Sequence, residues 1–107
     1  GYTTTATAAG TTTLTVASTQ TQYFTGTTTQ TITLPVTSTL VLGQEYEIVN
    51  NSTGVLTVNS SGGNLVATVF ANASVRVQVI LVTGTTAASW SVLKAANVSL
   101  ATVIFLN

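Results

Sequence analysis

Threonine recurs at every second position through much of this chain. In Thr28–Leu34, Gln30, Ile32 and Leu34 alternate with Thr29, Thr31 and Thr33. In Thr11–Ala17, Leu14 and Val16 face one way and Thr13 and Thr15 the other. A period of two is the period of a strand, whose successive side chains point to opposite faces. Threonine suits that geometry, because its branched Cβ resists a helix and packs well on a pleated surface. Twenty-five of the 107 residues are threonine and only four carry charge: Glu45, Glu47, Arg76 and Lys94. The outer faces of these strands are therefore wetted by hydroxyls, not by ions.

The length is that of one domain able to bury a core without staples. Val, Leu and Ile are plentiful, which argues against disorder. There is no cysteine, histidine or methionine. Disulfides and thiolate chemistry are excluded, and the redox compartment is unread. A chain that opens at Gly1 with no Met reads as a processed product or as a segment of something longer. No apolar run approaches the roughly 20 residues of a membrane helix. Two cations, Arg76 and Lys94, are too few for the basic footprint that nucleic acid or anionic lipid requires. Neither nucleic acid nor membrane is expected as a partner.

Along the chain, Gly1–Gly10 reads as an extended arm, and residues 11–107 as a single β domain. Strands are expected over Thr11–Ala17, Thr21–Thr25, Thr28–Leu34, Glu45–Asn50, Val55–Asn59, Leu65–Phe70, Ser74–Val82, Ser89–Leu93 and Val98–Leu106. Pro35 ends the third of these, since it cannot donate to a ladder. Asn50-Asn51-Ser52-Thr53-Gly54, Ser60-Ser61-Gly62-Gly63 and Thr83–Ala88 carry turn chemistry. Eight or nine short strands at roughly ten-residue spacing predict an all-β fold, an antiparallel β-sandwich or jelly roll. No internal repeat is legible. The last segment is apolar on both faces. Residues 98–107 are either a buried central strand or an inter-subunit strand, with Val98, Leu100, Val103 and Phe105 as candidate interface residues.

Catalysis has little to work with. Glu45 and Glu47, at i and i+2 on one strand, share a face and could flank a glycosidic bond or hold Ca²⁺. A solvated strand face is the simpler reading. Lys94 is expected in a small-residue turn with a structural role. No catalytic residue, metal ligand or cofactor is expected, and the chain reads as a non-enzyme. Tyr46, Phe70 and Trp90 are expected in the core. Tyr23 adjoins Phe24, and two neighbours on a strand cannot be equally buried, so Tyr23 is the candidate for stacking on a glycan. Sequons begin at Asn50, Asn51, Asn59, Asn72 and Asn97 and read first as turn residues. Thr-x-Thr pairs such as Thr13/Thr15, Thr29/Thr31 and Thr31/Thr33 are too unevenly spaced to predict the regular ranks of an ice-binding face.

An ordered set of segments carries a resemblance. It comprises Thr27–Pro35, a Thr-rich strand ending in Leu-Pro, then Leu42–Gly54 with its G-x-x-Y-x-I-x-N run. Val55–Gly63, a V-x-V hairpin ending in Gly-Gly, follows, and Trp90 comes before Val92. From Gly26 to Trp90 the chain resembles small β-domains of tailed-phage fibres and other virion surface proteins. The resemblance implies a structural module of a bacteriophage particle, a fibre or capsid-decoration domain, often a homotrimer. It transfers no catalytic residues. The expected partners are copies of the chain and other virion proteins, and the expected location is the virion. The alternatives are a receptor- or glycan-binding fibre tip contacting a host-surface glycan, and a cellular pilus or surface-layer subunit.

Overall fold

The computed structural model describes residues 1–95. It is mostly β, with no α-helix among the described residues. The strands are β1 Tyr2–Ala6, β2 Thr11–Thr13, β3 Thr21–Thr25, β4 Gln30–Thr33, β5 Glu45–Asn50, β6 Leu56–Asn59, β7 Leu65–Val69, β8 Ser74–Val79 and β9 Trp90–Ala95. Single 3-10 turns occur at Thr37–Thr39 and Ala87–Ser89. The strands form two mixed sheets, in the orders β1-β3-β5-β8-β9 and β2-β4-β6-β7.

The first six strands alternate between the sheets. β1, β3 and β5 of the five-stranded sheet are each followed by an arch into the four-stranded one, and the arches stack. Tyr2 lies beside Thr21 and Thr21 beside Glu47; Thr11 lies beside Thr31 and Thr31 beside Thr57. Backbone hydrogen bonds continue through the turns, from Thr7 N to Thr25 O (2.8 Å), Ala9 N to Thr29 O (2.9 Å) and Asn51 N to Phe24 O (2.8 Å). Three β-arches thus repeat in space, although the sequence shows no repeat. After β6 the chain changes habit: β6–β7 and β8–β9 are antiparallel neighbours, and β8 pairs antiparallel with β5.

This corrects the expectation of an antiparallel fold. Pairs β1–β3, β3–β5, β2–β4 and β4–β6 are parallel. Alternating apolar residues fix which face of a strand is buried, but not the direction of its neighbour. When consecutive strands cross to the opposite sheet, next-but-one strands become neighbours and run the same way. Residues 1–10, read as an arm, are extended, and Tyr2–Ala6 pair with β3 of their own chain.

Inward residues of both sheets meet in one apolar cluster. Phe24, Ile32, Ile48, Leu56, Val58 and Val77 are fully buried at its centre, and Tyr46 and Trp90 pack together at 6.4 Å between ring centroids. Several boundaries and one core assignment differ from the sequence reading. The strand expected over Thr11–Ala17 ends at Thr13, because the Thr15–Ser18 segment turns on its own hydroxyls. Ser18 Oγ accepts from Thr15 N (2.9 Å) and Thr15 Oγ1 from Ala17 N (3.2 Å). Such local bonds compete with a ladder, and Val16 is left exposed. β8 stops at Val79, leaving Ile80 and Leu81 half exposed. Phe70 lies beyond the end of β7 and is exposed, not in the core. Lys94 sits within β9 opposite Val75, not in a turn.

Candidate assembly surface

Three charged residues of the five-stranded sheet, Glu45, Glu47 and Arg76, gather in one place. Glu47 and Arg76 are cross-strand partners on β5 and β8, and Glu45 faces Gln78. Arg76 Nε lies 3.5 Å from Glu45 Oε1, Arg76 Nη2 lies 3.9 Å from Glu47 Oε2, and Gln78 Nε2 donates to Glu45 Oε2 at 3.1 Å. The two carboxylates share a face, as expected, and the Arg76 guanidinium of the neighbouring strand lies within ion-pair distance of both. Exposed pairs of this kind add little stability. Their effect is to offset one of the two negative charges on the outer face of the five-stranded sheet.

The outer face of the four-stranded sheet needs no neutralising, because β2, β4, β6 and β7 contain no charged residue. The register places Thr11, Thr31, Thr57 and Thr68 side by side in one row across all four strands. This row escaped the sequence reading, since the intervals between these residues are unequal and only the arch lengths bring them level. A second row starts with Thr13 and Thr33 and then breaks at Asn59, where the β6–β7 register shifts.

The first arch has its own internal clamp. Gln30 is buried, and its side-chain oxygen accepts from Ala8 N (2.9 Å) and Gly10 N (3.1 Å) while its Nε2 donates to Thr12 Oγ1 (3.0 Å). Gln22, also buried, donates from Nε2 to Thr19 O (2.9 Å). Glutamine and threonine thus contribute to this end of the interior, beside the apolar cluster. β1 and β2 are the edges of their sheets at this end, and no described residue pairs with their outer sides.

The candidate glycan residue Tyr23 points outward beside the buried Phe24, half-buried itself. Tyr2 meets it edge-on at 5.6 Å between centroids, and Tyr2 is 69 % exposed. Val98, Leu100, Val103 and Phe105, and with them the proposed inter-subunit strand, lie outside the described residues. Of the sequon asparagines, Asn50 is fully buried and structural, and Asn72 occupies a turn at φ 65°.

Two hollows among the described residues do not collect reactive groups. A polar cleft of about 340 Å³ is lined by Ser18, Gln20, Gly43, Gln44, Glu45 and Tyr46. Its single carboxylate is already engaged by Gln78 and Arg76. Burial pushes the Tyr46 phenol above its ordinary pKa, partly offset by the hydrogen bond from Gln44. No family model, no curated protein and no solved structure matches this chain.

Proposed function

We propose that this chain is a non-enzymatic structural module of an extracellular particle, a sandwich-type β domain of a bacteriophage fibre or capsid surface. The observation that carries the reading is the uncharged outer face of the four-stranded sheet, with its four-strand threonine row. Soluble monomers ordinarily keep both signs of charge spread over their surface. A face of hydroxyls and methyls with no ions packs against a neighbour without stranding a buried charge. Its companions are copies of itself or other virion proteins. The resemblance of residues 26–90 to virion β-domains supports the location. Electron microscopy of intact particles tests it. The expected result is the chain held in an ordered array on the particle; a freely diffusing polypeptide that turns over a substrate would overturn it.

One observation favours a second reading, a host-glycan contact. The Tyr2–Tyr23 pair offers an exposed aromatic surface on the outer face of the five-stranded sheet. A glycan array supports this if binding is saturable and is lost in Tyr2→Ala and Tyr23→Ala; a blank array removes it.

A further inference from the structure

We infer that the open edge formed by β1 and β2 is a docking surface for a second copy of this chain, joined antiparallel across a two-fold axis. This rests on the assembly reading above but on a separate observation, the direction of the backbone groups. In a parallel ladder both polar groups of one residue point to the same side, and successive residues alternate. Gly1 O accepts from Thr21 N (3.5 Å) and Thr7 N donates to Thr25 O (2.8 Å), so the odd residues of β1 face β3. The N–H and C=O groups of Tyr2, Thr4 and Ala6 therefore point outward. On β2, Gly10 O accepts from Thr31 N (2.9 Å) and Leu14 N donates to Thr33 O (2.8 Å). Even residues face β4 there, and Thr11 and Thr13 point outward.

Natural sheets guard such edges with lysine, proline, a bulge or a covering segment. Here the edge sequences are Tyr-Thr-Thr-Thr-Ala and Thr-Thr-Thr, and both pairings run without a register shift. Among the described residues both sheets are open on the same side, because the first arch is stacked on the second.

The edge is self-complementary, which is why the occupant is a copy. A two-fold axis through Thr4 sets Thr4 against Thr4 of the second copy and Tyr2 against Ala6. Antiparallel partners of this kind exchange both hydrogen bonds, so every outward group of β1 is satisfied, with β2 brought alongside its own counterpart. No charge opposes the approach, and two-fold contacts are the commonest among homo-oligomers. The interior behind this edge includes the buried Gln22 and Gln30 and the half-buried Thr12, and the outward groups of β1 and β2 are backbone and threonine. Backbone pairing, not apolar burial, therefore drives the contact, and the dimer is reversible.

Sedimentation velocity over a concentration series of the 107-residue chain tests this, with unfolding followed by the fluorescence of Trp90. The wild-type chain is expected to pass from one copy to two as concentration rises. Thr4→Pro removes an outward donor without touching the β1–β3 ladder, and Thr4→Lys adds an edge charge. Each should weaken dimerisation about tenfold or more while leaving the unfolding midpoint near wild type. Thr5→Pro, whose N–H faces β3, should instead lower the midpoint. A wild-type chain that stays monomeric, a trimer, or a dimer that Thr4→Lys leaves unchanged would overturn the inference. None of these results bears on whether the chain is found on particles, so the two readings fail separately.

Discussion

Gly54 lies with its Cα against the carbonyl of Thr28 in the preceding arch, so closely that a Cβ there would overlap the peptide. Stacked arches bring two backbones together where a turn crosses from one sheet to the other. The same approach recurs one level away, where a Cβ on Gly26 would stand 2.7 Å from Thr7 Oγ1. Gly54→Ala is therefore expected to destabilise the fold by about 3 kcal/mol, the upper end for overpacking, because the obstacle is backbone and cannot swing aside. Gly43 provides the contrast. It has φ 88° but open space around it, so Gly43→Ala carries only left-handed strain, about 1–2 kcal/mol. Urea unfolding of both variants checks the order, and equal losses would contradict the stacked-arch account.

Gln30 ties the first arch to the second through three hydrogen bonds from one side chain. Gln30→Leu keeps the volume and leaves the Ala8 and Gly10 N–H groups without a partner. Stranded donors cost about 1–3 kcal/mol each when buried, and these are partly buried, so a loss on the order of 2 kcal/mol is expected. The more specific expectation concerns place. Amide hydrogen exchange should accelerate at Ala8 and Gly10 and leave β5 and β8 protected, because the first arch is at the end of the stack.

Asn50 is a second clamp, and a fully buried one. Its Nδ2 donates to Gly54 O (2.8 Å) and Val69 O (2.9 Å), while its Oδ1 accepts from Ser52 N (2.9 Å). Asn50→Asp replaces a double donor facing two carbonyls by a carboxylate. Burial and the facing carbonyl oxygens both disfavour the ionised form, so the folded-state pKa of the new Asp rises above its unfolded value of about 3.9. Stability of this variant is then fullest below that unfolded value and is lost as pH rises through the folded one. At pH 7 a deficit of about 3 kcal/mol or more against wild type is expected, shrinking in acid. Urea midpoints from pH 3 to 8 measure it; a pH-independent deficit would refute the buried-clamp assignment.

The strands from β2 to β9 were legible because their signal is local, whereas β1 (Tyr2–Ala6) was read as an arm. Alternation around Ile32, Ile48, Val58 and Val77 marks the inward face of each strand, and all four are buried. Turn chemistry at Gly26, Gly43 and Gly63 marks the breaks, and each glycine takes a positive φ. Strand direction was not legible, since a parallel neighbour and an antiparallel one impose the same alternation. Nor was the threonine row, which exists only after the arches bring Thr11, Thr31 and Thr57 level and the antiparallel β6–β7 pairing sets Thr68 beside them. Val16 and Phe70 failed for opposite reasons. Hydroxyl bonds at Thr15 and Ser18 turned the chain before Val16 reached the ladder, and β7 ended one residue short of Phe70.

Tyr46 supplies the last prediction. It is 1 % exposed, packs on Trp90, receives a hydrogen bond from Gln44 Nε2 (3.2 Å) and donates to Thr15 O (3.4 Å). Burial is the larger influence on its phenol and raises the folded-state pKa; the Gln44 bond works against it. In the unfolded chain the phenol titrates near pH 10. Below that value both states hold the proton and the stability associated with Tyr46 is fully present. As pH climbs toward the folded value, the unfolded chain has already released its proton while the native one retains it. The slope of stability against pH is therefore negative in this interval. Tyr46→Phe removes this ionisation. Its midpoint at pH 7 should fall by about 1 kcal/mol for the lost hydrogen bonds, and its decline above pH 10 should be shallower than wild type. Urea titrations at pH 7, 9, 10 and 11, read by Trp90 fluorescence, compare the two. Parallel declines would show that the phenol ionises as readily in the folded protein as in the unfolded one.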